Sequence, residues 1–425
     1  MELCLTNGHV VDSKNGIDET LDIRIKDGKI ADIGKNLPLH EGEREIDCTG
    51  LTVIPGICDM HIHTRDPGQP HKEDIITAGE AAAAGGVTAA ACMPNTVPTT
   101  DNPETVKYIL EKAKQAKFKL YPVGSITKGL QGEEFSDFER LKEAGCVAVS
   151  DDGRPVKNAM MMKQAIKKAA LAHLMIISHC EDLDIINGGI INEGAVSDVM
   201  GVKGMARSSE NYITAREILL AQEQGLPVHI AHVSTKESVD IIRLAKKKGV
   251  KVTCETAPHY FTLTDDKLFS RDADYRMNPP LREQADVDAI TEAVCDGTID
   301  CIVTDHAPHA ADEKEDFLKA PNGVVGMETS LAATVTMLLN TGKITRVQLV
   351  NLMCVNPRKI LGIEGGTLSV GTAADVTVFS ESEQWTVEPQ KLHSKSKNTC
   401  FKGMTLTGKV KYTLLDGNIV YEDKQ

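Results

Sequence analysis

From Val53 onward the chain alternates short apolar runs with stretches of helical spacing. Runs of strand length occur at 53–60, 87–92, 119–125, 146–150, 174–179, 227–232, 251–256 and 301–305. Between them the segments 74–84, 103–116, 138–144, 158–172, 210–224, 236–248 and 282–295 space their apolar residues three and four apart, as one helix face requires. Eight strands with helices between them is the count that closes a (β/α)8 TIM-like barrel rather than an open sheet. The chain ends follow a shorter period. Leu3-Cys4-Leu5, Leu21-Asp22-Ile23-Arg24-Ile25 and Ile30-Ala31-Asp32-Ile33 read as strands, with Asn7-Gly8 and Asp27-Gly28 supplying the positive φ of hairpin turns, so a small antiparallel β unit is expected. After Gly362 the helices stop and strand periodicity returns at 371–379 and 408–421, the latter around Asp416-Gly417. The two ends are expected to pair into one small β-sandwich domain, residues 1–52 with 366–425, leaving the barrel, residues 53–365, inserted between its halves.

Composition narrows this picture modestly. With 425 residues, 41% hydrophobic and 25% charged, the chain has ordinary globular content. A net charge of −14 argues against nucleic-acid binding, which takes clustered Lys and Arg, and a small anionic substrate would need local cations set against that field. The eleven cysteines are scattered without a Cys-x-x-Cys pair, as expected for small core residues in a reducing compartment. The N-terminus lacks a signal-peptide pattern and no apolar run reaches membrane-spanning length, so a cytoplasmic protein without membrane partners is expected.

Barrel enzymes carry their chemistry where strands end, so the residues at those points matter most. The first run ends in His61 and His63, which share one face of a strand while Ile62 packs behind them. Asn95 follows the second run, Asp151-Asp152-Gly153 the fourth, His179 the fifth, His232 the sixth and Asp305 the eighth. A single histidine there is ordinarily a hydrogen-bonded structural residue, and a single aspartate ordinarily caps the next helix. Four histidines and at least two carboxylates gathered on one rim need a ligand to hold them there. Imidazoles on rigid strands suit Zn, Fe or Ni, and the set exceeds what one tetrahedral Zn accepts. Two ions are therefore expected, His61, His63 and Asp305 serving one and His179 and His232 the other, with a carboxylate of the fourth strand between them. A water shared by two such ions becomes hydroxide near neutral pH, and Asp305 beside it can pass its proton to a leaving nitrogen.

Seven motifs carry a resemblance. His61-Ile62-His63-Thr64-Arg65-Asp66-Pro67-Gly68, Met93-Pro94-Asn95-Thr96, Asp151-Asp152-Gly153, His179-Cys180-Glu181, His232-Val233-Ser234-Thr235, Met277-Asn278-Pro279-Pro280-Leu281-Arg282 and Thr304-Asp305-His306-Ala307-Pro308-His309 together resemble bacterial (class I) dihydroorotases of the cyclic amidohydrolase superfamily. The resemblance covers nearly the whole chain. It implies reversible cyclisation of N-carbamoyl-L-aspartate to L-dihydroorotate and water, in de novo pyrimidine synthesis, by a zinc-dependent homodimer. It implies His61, His63, Asp152, His179, His232 and Asp305 as ligands of two Zn²⁺, with Asp152 bridging and Asp305 also the base. Arg65, Asn95 and His309, with His63 beside them, match residues at the substrate carboxylate, and Asn278 and the backbone around Asn322-Gly323 match those holding the pyrimidine ring. Arg65 also suits a carboxylate by its planar fork, and the polar loop at 310–323 follows the catalytic strand as an active-site lid would.

The chain departs from the family pattern at Thr64, Asp66 and Asn322, where Leu, Glu and Phe are usual. Relatives acting on hydantoins and dihydropyrimidines bridge their metals with a carboxylated lysine on the fourth strand, and this chain has no lysine there. Spacing alone does not choose between Asp151 and Asp152, and the family match favours Asp152. Two alternatives compete: an allantoinase or dihydropyrimidinase, against which Arg65 and Asn95 speak, and an inactive structural homologue, against which the complete ligand set speaks.

Overall fold

The computed structural model describes residues 2–424. Eight parallel strands form the barrel: β6 (Ile57–Ile62), β7 (Val87–Cys92), β8 (Lys119–Gly124), β9 (Ala148–Val149), β10 (Met175–Ser178), β13 (Val228–Ile230), β14 (Val252–Thr256) and β15 (Cys301–Ile302), paired in that order. An excursion between β10 and β13 carries the short parallel pair β11 (Ile191–Asn192) and β12 (Gly204–Met205). A buried carboxylate and a backbone bridge close the ring. Asp59 of β6 accepts from Thr304 N at 3.1 Å and Thr304 Oγ1 at 2.5 Å, and His63 N donates to His306 O at 2.8 Å.

The strands follow from their side chains. Ile57, Ala90, Val149, Ile176, Val252 and Ile302 pack outward under the helices, while Cys58, Met60, Ala89, Ala91, Val123 and Cys301 fill the interior. Small inward residues suit a closed ring whose centre has little room. Helices such as Ile75–Ala84, Ala159–Leu171 and Ser208–Gln224 lie where the apolar spacing places them. Asp74 and Asn158 cap the first two. Among the described residues no helix is long and apolar enough to cross a membrane.

Both chain ends enter one eight-stranded sheet. It contains β1 (Leu3–Asp12), β2 (Ile17–Lys26), β3 (Lys29–Gly34), β4 (Arg44–Asp47), β5 (Thr52–Pro55), β16 (Val376–Thr386), β17 (Thr405–Leu415) and β18 (Asn418–Glu422). Leu3, Ile23, Val53, Val376, Val378 and Leu414 share its core. Two expectations for the N-terminal part are corrected. It is mixed rather than antiparallel, because β4 and β5 both run parallel to β1. Asn7-Gly8 is no hairpin turn either: it lies inside β1 at a bulge, where Asn7 takes φ +60°. Positive φ serves a bulge as readily as a turn, and the chain reverses later, around Gly16.

The first apolar run is also two strands. Gly56 divides it, donating to Asp375 O at 2.8 Å while Ile57 N turns to Gly86 O, so Thr52–Pro55 joins the terminal sheet and Ile57–Ile62 the barrel. A Cβ at Gly56 would stand 2.2 Å from Thr88 Oγ1, so only glycine fits this crossing.

Candidate active site

A bulge in β6 aims the first two histidines. Asp59 pairs with Ala90 and Ile62 with Cys92, three steps against two. The extra residue reverses the alternation, so Ile62 packs outward although Cys58 and Met60 face inward, and His61 and His63 turn toward the barrel axis. His179 follows β10 directly, His232 lies two residues beyond β13 and Asp305 three beyond β15, and His232 and Asp305 turn off their strands with φ +30° and +48°.

These side chains converge with Asp152 at the centre. Two groups have all their ligand atoms within 4.8 Å of one another: His61, His63 and Asp152, and Asp152, His179 and His232. Asp152 Oδ1 lies 3.4 Å from His61 Nε2, 3.3 Å from His179 Nδ1 and 3.6 Å from His232 Nε2, and Oδ2 lies 3.5 Å from His63 Nε2. Asp305 Oδ1 stands 3.1 Å from His63 Nε2 and 3.7 Å from His61 Nε2. Asp151 points elsewhere, accepting from Thr127 Oγ1 at 2.5 Å and from the amides of Ile126 and Thr127.

The residues fit metal ions. His61 Nε2 and Asp152 Oδ1 are buried without hydrogen-bond partners, as ligand atoms lacking their cation would be. The electrostatics agree. Burial alone would strip His61 and His179 of protons, yet Glu255 and Asp152 hold His61 well above its ordinary value, and Asp152 and Glu181 lift His179 to about 10. Burial would likewise raise Asp152 and Asp305, and the surrounding histidines keep both below the usual carboxylate range. A site that draws protons so strongly is one where a divalent cation can replace them. Four imidazoles and two carboxylates suit a borderline ion such as Zn²⁺.

Beneath His61 lies a chain that the strand-end reading did not find. Glu255 Oε1 is 2.6 Å from His61 Nδ1, Glu255 Oε2 is 3.1 Å from His229 Nε2, and His229 Nδ1 is 2.8 Å from Thr253 Oγ1. A carboxylate on one imidazole nitrogen fixes the tautomer that presents the other to a metal. The available signal was Glu255 itself, a carboxylate within an apolar strand.

A cavity of about 200 Å³ opens over these ligands, and Arg65, Asn95, Asn278, His309, Asn322 and Gly323 all line it. Asn95 Oδ1 lies 2.8 Å from His63 Nδ1. Arg65 is buried, its guanidinium pushed down to about 10 by that burial and so still charged at neutral pH. Its Nε donates to Pro308 O, and its Nη2 meets His309 Nε2 at 3.3 Å. That second contact offers no acceptor, because His309 Nε2 donates to Asn322 O at 2.9 Å. Burial, then Arg65, Lys314 and Lys72, push His309 down to about 2, so it is neutral. Arg65 thus brings a buried cation whose Nη2 lacks an acceptor, which suits a ligand carboxylate. Around Gly323 the backbone is engaged internally: Gly323 N donates to Arg276 O, and Gly323 O accepts from Lys314 Nζ and Asn398 Nδ2.

Comparison with known proteins follows the same line. A family profile described as Dihydro-orotase-like matches residues 50–238. The chain is 50% identical over 424 residues to a dihydroorotase of Geobacter metallireducens, covering 99% of this chain and 100% of the relative. It is equally identical to one of Acetivibrio thermocellus, over 99% of both chains. Among solved structures, L-hydantoinase (dihydropyrimidinase) from Arthrobacter aurescens superposes with a TM-score of 0.89 at 28% identity, covering 100% of this chain and 96% of that one.

Proposed function

The chain belongs to the dihydroorotase family of the cyclic amidohydrolase superfamily, and from that membership we propose that it is a metal-dependent dihydroorotase. It interconverts N-carbamoyl-L-aspartate and L-dihydroorotate plus water, a step of pyrimidine biosynthesis. The observation that carries the substrate assignment is Arg65, a buried cation with an unaccepted Nη2 beside the metal-ligand cluster. Hydantoins and dihydropyrimidines are neutral rings with no carboxylate to meet it, whereas dihydroorotate carries one.

The reading extends to two zinc ions, held by His61, His63 and Asp305 on one side and His179 and His232 on the other, with Asp152 shared. Asp152 in this position, rather than a lysine, speaks against the relatives that act on hydantoins and dihydropyrimidines, and class I is what the motif resemblance implies. Such ions supply Lewis acidity and an activated water. The protein's own groups do the rest. Arg65, with the Asn95 amide, holds the substrate carboxylate, with neutral His309 beside it once its N–H is released from Asn322 O, and Asn278 holds the ring next to the backbone of Asn322 and Gly323. In the hydrolytic direction the Asp305 carboxylate takes the proton of the attacking water and delivers it to the ring nitrogen as the C–N bond breaks. In cyclisation the same carboxylate takes that proton from the carbamoyl nitrogen as the N–C bond forms and passes it to the oxygen that leaves the carboxyl carbon as water. We place the enzyme in the cytoplasm, in line with its scattered cysteines, and as a homodimer, which the resemblance implies.

Ring opening of dihydroorotate should exceed that of hydantoin and dihydrouracil by at least about 100-fold in kcat/KM, because a buried ion-pairing group left empty is costly. Equal or faster opening of either neutral ring would reject the assignment.

A further inference from the structure

His179 and Asn278 stand on different elements, and one carboxylate joins them. Glu181 is buried, and its Oε2 lies 3.2 Å from His179 Nε2 and 2.9 Å from Asn278 Nδ2. That oxygen accepts from Nδ2 and from the imidazole N–H. Two consequences follow. His179 carries its proton on Nε2, so the Nδ1 lone pair points toward Asp152 and His232, at 3.3 and 2.8 Å. Asn278 has committed its NH2 to Glu181, which leaves its carbonyl. Oδ1 of Asn278 is buried with no hydrogen-bond partner, in a residue that lines the cavity. A buried acceptor left in this state is destabilising until a donor reaches it.

We infer that Glu181 is a positioning and specificity-determining residue. It turns the Asn278 amide so that the cavity presents an acceptor, which selects a substrate N–H, and with the same oxygen it fixes the tautomer in which His179 offers Nδ1 to a metal. Without Glu181 the amide is free to rotate, and its NH2 would then oppose that N–H. The identity of the donor, a ureido N–H of dihydroorotate or carbamoylaspartate, rests on the dihydroorotase reading. The coupling to His179 does not.

The test compares Glu181→Ala, Glu181→Gln, Asn278→Ala and the double variant Glu181→Ala/Asn278→Ala. KM and kcat for dihydroorotate are measured beside the zinc-to-protein ratio after dialysis at fixed low free zinc. Glu181→Ala should raise KM about tenfold or more and retain less zinc, whereas Asn278→Ala should raise KM with the zinc ratio unchanged. Glu181→Gln, whose amide oxygen can take both donors, should recover most of the KM. The double variant should have a KM within about twofold of the worse single variant, because both changes remove one interaction. Multiplying KM effects, or wild-type KM and zinc content in Glu181→Ala, would overturn the inference. Where the alanine variant fails to fold, Glu181→Met, similar in size and without an oxygen acceptor, gives the same reading. If the unaltered enzyme does not open dihydroorotate, the functional reading has failed, and the zinc ratio still decides the Glu181–His179 coupling.

Discussion

Arg65, His232 and Asp305 hold their backbones at φ +57°, +30° and +48°, a region that side-chain-bearing residues rarely occupy. Each such residue costs about 1–3 kcal/mol, so the surrounding fold must impose it, and here the sharp turn lets each side chain point back over the barrel mouth. This guides the choice of variant, because asparagine tolerates left-handed backbone better than alanine does. Asp305→Asn should therefore keep the fold and lower kcat by at least about 100-fold through loss of the proton carrier. Arg65→Asn should leave kcat within a few-fold and raise KM for dihydroorotate roughly 10- to 100-fold, as expected for one charge-assisted contact. Steady-state kinetics on the two proteins separates these outcomes. An unchanged kcat in the first would reject Asp305 as base.

At the scale of elements, the loop following β15 is held by two cations with neutral partners. Lys314 Nζ donates to Arg276 O, Pro321 O and Gly323 O, and Arg276 donates to Phe317 O and Asn322 Oδ1. Burial pushes Lys314 down from 10.5 to about 8. A released loop would return it to the higher value. As pH rises from 8 toward 10.5 the closed loop gives up a proton that the open loop keeps, so closure strengthens with pH across that window. Amide exchange at 310–323, corrected for its intrinsic pH dependence, should slow between pH 7.5 and 10, and Lys314→Met should abolish the trend. The histidines and Asp305 were legible in the sequence because each ends a run whose period identifies it as a strand. The bulge in β6 was not, because one extra residue leaves the apolar pattern intact and shows only in the pairing with β7. Nor was Glu255, because a carboxylate within an apolar run does not reveal that a histidine from another strand lies 2.6 Å away. Asn7-Gly8 misled for the complementary reason: positive φ is a property of the dipeptide, whereas turn or bulge is decided by neighbouring strands.

For the molecule as a whole, the ligand cluster is also a store of stability. Removing metal leaves His61 and His179 holding protons against Asp152, Glu255 and Glu181 in a buried site. Chelation should lower the melting temperature by roughly 5 °C or more, and added zinc should restore it. Zinc binding should release protons, so apparent affinity falls as pH drops and the calorimetric enthalpy changes with the buffer. Equal melting curves with and without chelator would contradict this. The crossing at Gly56 has another consequence, in the order of synthesis. Thr52–Pro55 pairs with Val376–Phe379, so the strand that precedes β6 and its histidines, His61 and His63, finds that neighbour only when nearly the whole chain has been made. A growing chain that already contains the whole histidine and aspartate cluster still carries an unpaired strand edge, exposed to other nascent chains until its last stretch emerges.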